Sequence, residues 1–228
     1  MREPVRFAVV GEGRDEHGAS SQGPLLSPLP KNALRGGLVT LVERLLLERF
    51  GRAAVPVGWL APVRNRWSQP PKAVALLADE NLLARLLNEL LRPAKRSPPS
   101  WPAAELVVLS VDGDRVQAFK RALSRVSREL QDRIIPLVFE PEFEVLFTCG
   151  KEPLEDACGL PRCSSVHPER QGDLKRCLER WLQRYGGGRP LDARLRQEIA
   201  MHLDVGLESP LKEVPAFRKL IASLARWA

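Results

Sequence analysis

Cysteine is scarce in this 228-residue chain: Cys149, Cys158, Cys163 and Cys177 are the only four, unevenly spaced and without a CxxC pair. That excludes the dense disulfide framework of a small secreted domain. It matches no standard zinc signature either, so reduced thiols are expected, the alternative being a zinc site on the closest trio, Cys158, Cys163 and His167. No apolar run approaches the length of about 18 residues that a membrane span needs, and the opening MREPVRF lacks the apolar core of a signal peptide. The expectation is a soluble, cytoplasmic protein with no membrane partner. Histidine is rare, at His17, His167 and His202, and no GxSxG elbow accompanies it, which leaves nucleophilic hydrolase chemistry without its parts. Phosphate loops are missing too. A Rossmann fingerprint would need a small residue where Glu16 stands, and a P-loop read from Gly13 to Gly18 meets Ala19 in place of lysine.

What is present is arginine in excess. The formal net charge is +7 and the isoelectric point about 9.6, with no long basic block. This favours phosphate-bearing or acidic partners and permits nucleic-acid binding, and it says nothing about fold. An apolar content of 44% in a chain of this length supplies a sizeable core.

Hydrophobic patterning is read most clearly in ELVVLSVDGD (105–114), an apolar run ending in acid, glycine, acid that suits a strand buried on both faces, and VRFAVV (5–10) is a short β-branched run that suits a buried strand. AVPVGWL (54–60) and RIIPLVFE (133–140) read as two more strands. Between them, leucines at helical spacing predict helices from Asn32 to Gly51, over 73–92, and from Val116 to Leu130. Such alternation argues for a mainly parallel α/β sheet. After Cys149 the pattern is helical, over 173–185, 191–207 and 216–227. Two units follow: an α/β core over 1–148 and a helical C-terminal extension over 149–228, packed on the core. Two apolar stripes in the extension, one containing Leu178 and Trp181 and the other Phe217 and Leu220, raise the expectation of an exposed patch for a partner. Trp59, Trp67, Trp101, Trp181 and Trp227 sit beside proline or inside apolar helices, where packing rather than base stacking is their expected use.

Ligands of open parallel sheets gather beyond the carboxyl ends of the strands. Here those ends are acidic. The first strand leads to Glu12, Asp15 and Glu16, the third to Asp112 and Asp114, the fourth to Glu140, Glu142 and Glu144. Each acid alone has a turn or helix-capping role to fill. Several carboxylates at one sheet edge repel one another unless a cation is present, and rigidly held carboxylate oxygens are what Mg²⁺ and Mn²⁺ prefer.

The order of these motifs resembles a Toprim domain: VVGEG with Glu12 after the first strand, SVDGD with Asp112 and Asp114 after a later one, and a further acid after the next. EGRDE and PEFEVLF are similar to segments of the Toprim-like proteins related to OLD-family and RloB-type nucleases, often encoded beside an ATPase in bacterial defence loci. Leu146 stands where many of those relatives carry Trp. The resemblance spans roughly residues 5–147. It implies a Toprim-like α/β fold and phosphodiester hydrolysis of DNA or RNA with Mg²⁺ or Mn²⁺. It also implies Glu12 as leading metal ligand or acid/base group, assisted by Glu16. Asp112, Asp114, Glu144 and Glu142 would be the further metal ligands. Lys175, or Lys151 in its place, would stabilise phosphate charge. The implied partners are nucleic acid and an ATPase, or a second copy of the chain. A non-catalytic Toprim-like subunit regulating an ATPase complex is the alternative.

Overall fold

The structure, a computed structural model, describes residues 3–11, 34–57, 79–92, 103–113, 116–169 and 172–228. Its centre is a parallel sheet of β1 (Val5–Val10), β2 (Ala54–Pro56), β3 (Leu106–Asp112) and β4 (Ile134–Phe139), in the order β2-β1-β3-β4. Alternation along the strands sorts their side chains into two cores. Phe7 and Val9 of β1, Leu106 and Val108 of β3, and Leu137 and Phe139 of β4 enter one. Ala8 and Val10, Val107 and Leu109, and Ile134 enter the other. With both faces dry, the strands need no polar positions, which is why the sequence reads as α/β.

The second face is covered by α2 (Glu80–Leu91), α3 (Val116–Ser124) and the short α4 (Arg128–Gln131). Asp79 caps α2, its carboxylate accepting from the amides of Asn81 at 3.0 Å and Leu82 at 3.1 Å. The single helix expected from Val116 to Leu130 breaks at residues 125–127, where the amides of Arg125 and Val126 bond three residues back and so tighten the last turn.

The first face carries α1 (Gly37–Arg44), prolonged by a π-helical turn (Leu45–Arg49), together with α5 (Glu152–Ala157), α6 (Leu174–Arg184), α7 (Ala193–His202) and α8 (Pro215–Leu224). Residues 34–36 are not helical, so α1 begins later than leucine spacing predicts. Asn32 itself lies outside the described residues. Gly37 opens α1 where the backbone of α7 comes closest: a Cβ there would lie 3.3 Å from both the Arg196 carbonyl oxygen and the Phe147 ring. At the far end of α1, Arg44 donates to the carbonyls of Ala200 at 2.9 Å and Leu203 at 2.7 Å, satisfying orphan acceptors of α7. The six-residue α5 escaped sequence reading because it is too short to show a period.

The apolar stripes of the C-terminal segment are spent mostly inside the chain, with Ile221 and Trp227 half-buried against the same core, which leaves little of the expected exposed patch. Leu174, Leu178, Trp181 and Leu182 of α6 are buried, as are Phe217, Leu220 and Leu224 of α8, and all but Leu174 join the same core as β1 and β4. Burial of each such large side chain is worth about 1.5–3 kcal/mol relative to exposure, a return that a partner would otherwise have to supply. Residues 149–228 thus build, with α1, a complete layer of the fold. The Trp181 indole donates to the Val166 carbonyl at 2.8 Å, so that tryptophan serves packing. Trp59, Trp67 and Trp101 lie outside the described residues. Among the described residues no helix is long and apolar enough to cross a membrane.

Candidate functional site

Connectivity makes one end of the sheet special. From β1 the chain passes over the first face through α1 to β2, then over the second face through α2 to β3 on the other side of β1. Strand order therefore reverses between β1 and β3, the place beyond the carboxyl ends where open parallel sheets bind their ligands. Asp112 is the last residue of β3 at that point. Its Oδ1 accepts the Phe143 amide at 3.2 Å, which draws the segment after β4 across the end of the sheet.

That segment, a 3₁₀ helix over Phe143–Thr148, is anchored from below by an edge-to-face ladder of rings. Phe143 stands 5.2 Å from Phe139 and 5.3 Å from Phe147, both pairs near perpendicular. With Phe143 held inward, Glu142 and Glu144 flank it and take different roles. Glu142 accepts the Lys175 amide at 2.9 Å and so caps α6 alongside Asp173, which accepts from Arg176 at 3.0 Å. Burial pushes the Glu142 carboxyl above the ordinary range, and the negative charges of Glu144 and Asp173 push the same way, against the amides of Lys175 and Leu174. Glu144 is buried and accepts from Arg196 of α7 at 2.5 Å.

Of the residues expected to form a metal site, Asp112 accepts the amide of Phe143, the residue between Glu142 and Glu144, and Glu142 accepts the amide of Lys175, but the three carboxylates are not gathered in a way that could hold a metal ion. The Lys175 side chain is exposed. Lys151 is elsewhere: its ammonium donates to the Ser165 carbonyl at 2.7 Å and lies 3.9 Å from Glu155. Glu12, Glu16 and Asp114 lie outside the described residues, as does Asp15. Among the described residues no three His, Cys, Asp or Glu gather in a way that could hold a metal ion. This corrects the zinc alternative. Cys158 is half-buried, its thiol pushed up by burial, Cys163 is exposed, and His167 Nδ1 faces the Pro168 carbonyl at 3.3 Å. None of the cysteines is disulfide-bonded.

Sequence reading missed two buried charged residues. Arg196 is only 2% exposed and lies on the apolar side of α7 with Leu195, Ile199 and Ala200; an arginine among core-facing positions of a helix is the signal that was there to find. Glu155 is fully buried beneath the loop after α5, accepting from the Ser165 hydroxyl at 2.6 Å, the Ser165 amide at 2.9 Å and the Cys163 amide at 2.9 Å. Those bonds hold its carboxyl below the ordinary range, the Ser165 hydroxyl first among them. Compared with protein-family models, with curated proteins and with solved structures, the chain matches none.

Proposed function

We propose that this protein is a divalent-metal-dependent nuclease, hydrolysing phosphodiester bonds of DNA or RNA on a Toprim-like core, as an effector of bacterial anti-phage defence. The observation that carries this reading is the bond from the Phe143 amide to Asp112, which sets the acid ending β3 against the Glu142–Glu144 segment at the reversal of strand order. The Toprim-like order of motifs supports the nuclease assignment, and the basic charge of the chain suits a phosphate-bearing substrate.

The donor chemistry fits Mg²⁺ or Mn²⁺ in part. Asp112 and Glu142 offer oxygen ligands, and a carboxyl whose proton affinity is raised by burial and by negative neighbours is one that a cation would relieve. Glu144 fits less well, because a buried guanidinium already neutralises it. In this reading Glu12, Asp112, Asp114 and Glu142 hold the metal, Glu144 positions the segment, Glu16 assists, and Lys175 contributes positive charge for the phosphate. Bound metal supplies Lewis acidity at the phosphate.

The test is a melting curve with EDTA, Mg²⁺ or Mn²⁺, run beside incubation with plasmid, linear DNA and tRNA. Wild type is expected to melt higher with metal and to cleave at least one substrate, and Asp112→Asn to lose most of both effects. Equal metal shifts in the two proteins would remove the metal site. The capture of Glu144 by Arg196 favours a second reading, a non-catalytic Toprim-like subunit of an ATPase complex. A metal shift without cleavage, together with co-purification of an ATPase, would select it.

A further inference from the structure

The solvent face of α6 carries an excess of positive charge. Leu174, Cys177, Leu178, Trp181 and Leu182 are turned into the protein, whereas Lys175, Arg176, Arg180 and Arg184 are exposed, with Glu179 the one exposed acid among them. The three arginines recur every four residues and so share one side. Helix stability accounts for Arg184, a cation in the last turn, but not for the cations of the first turn. The first turn holds Lys175 and Arg176 and no acid, so two cations face the positive end of the dipole. Within the chain the exposed carboxylate of Asp173 lies 3.3 Å from Arg176 and that of Glu169 lies 2.8 Å from Arg180, which also donates to the Cys177 sulfur at 3.4 Å. Surface pairs of this kind are weak and yield to a stronger anion. Arg184 lies over the Tyr185 ring at 5.3 Å.

From Arg176 to Arg184 the helix rises about 12 Å, a length that three or four phosphates of one duplex strand occupy. The stripe starts beside the carboxylates, since the Lys175 amide is bonded to Glu142. Among the described residues no Phe, Trp or Tyr is exposed, and Tyr185, beside the stripe, is half-buried beneath Arg184, which favours a duplex over a stacked single strand. We infer that the outer face of α6 is a docking surface for the sugar-phosphate backbone of duplex DNA, laid along Arg176, Arg180 and Arg184 toward the acidic end of the sheet. The inference deepens the nuclease reading and rests on it for what the track leads to.

Fluorescence anisotropy with a labelled DNA duplex, in EDTA and over a series of salt concentrations, tests the surface without cleavage. Arg176→Glu, Arg180→Glu and Arg184→Glu together are expected to weaken binding at least about tenfold and to flatten the salt dependence by about two to three phosphate contacts. A charge-matched control, Arg85→Glu, Arg92→Glu and Arg121→Glu on the opposite layer, is expected to stay within about twofold of wild type. Replacement of the three α6 arginines by Gln gives a milder variant with the same expected direction, and circular dichroism checks that each is folded. Equal losses in stripe and control variants, no duplex binding by wild type, or tighter binding of a single strand would overturn the inference. Asp112→Asn separates the two readings: it is expected to keep duplex binding, and only its cleavage and metal shift report on the nuclease site.

Discussion

Arg196 and Glu144 form an ion pair in the interior, 2.5 Å apart, with 2% and 10% of their side chains exposed. Arg196 also donates to the Leu191 carbonyl, so one guanidinium joins the start of α7 to the segment after β4. Two charges removed from water this completely are held by each other, and taking one away strands the other. Glu144→Ala is therefore expected to cost about 3–5 kcal/mol in urea denaturation. Replacing both residues by methionine should recover most of it. A loss from the single substitution no larger than that of an exposed pair would mean that the guanidinium finds another acceptor, and the positioning role given to Glu144 would fall with it.

Glu142 and Glu155 are expected to respond to pH in opposite senses. The folded protein holds the Glu142 carboxyl above its ordinary range, chiefly through burial. Folded protein thus binds that proton more tightly than unfolded chain, and stability is lost as pH rises from the ordinary carboxylate range through the raised value. In EDTA, Glu142→Gln should match wild type in acid and become the more stable protein toward neutrality. Glu155 is held below the ordinary range by Ser165 and the Cys163 amide, so its contribution is present above that range and is lost as pH falls through the lowered value. Glu155→Gln should be less stable than wild type at neutral pH, by about 3 kcal/mol, with the gap closing in acid. Thermal melts of both variants across pH check the two signs; parallel curves for either would contradict the assigned environment.

Leu178 and Leu220 test whether the C-terminal helices are part of the fold. Both are buried in the core shared with the sheet. Either residue changed to alanine is expected to lose about 2–5 kcal/mol of stability, with no change in oligomeric state by sedimentation. Substitutions that leave stability intact and dissolve an oligomer would return these stripes to the role of an interface.

Local pattern determined the architecture. VRFAVV and LVVLSV are apolar but for Arg6 and Ser110 because each strand is covered on both sides, and the leucine spacing of α2 and α6 follows from one buried face per helix; such periods are written within a few turns of chain and survive without knowledge of the partner. The places of Asp112 and Glu142 beyond β3 and β4 were legible for the same reason, since a parallel sheet brings carboxyl ends to one edge, whereas the acids after β1 lie outside the described residues. What each acid meets there was decided only by packing. Glu144 is neutralised by an arginine 52 residues away, Glu142 caps a helix that begins 32 residues later, and Lys151 turns to a carbonyl in the loop beyond α5. Partner choice over such separations depends on which faces the helices present once docked, and no short window of sequence contains that information. The same holds for the C-terminal helices, whose apolar stripes specify burial but not whether the surface that buries them belongs to this chain or to another.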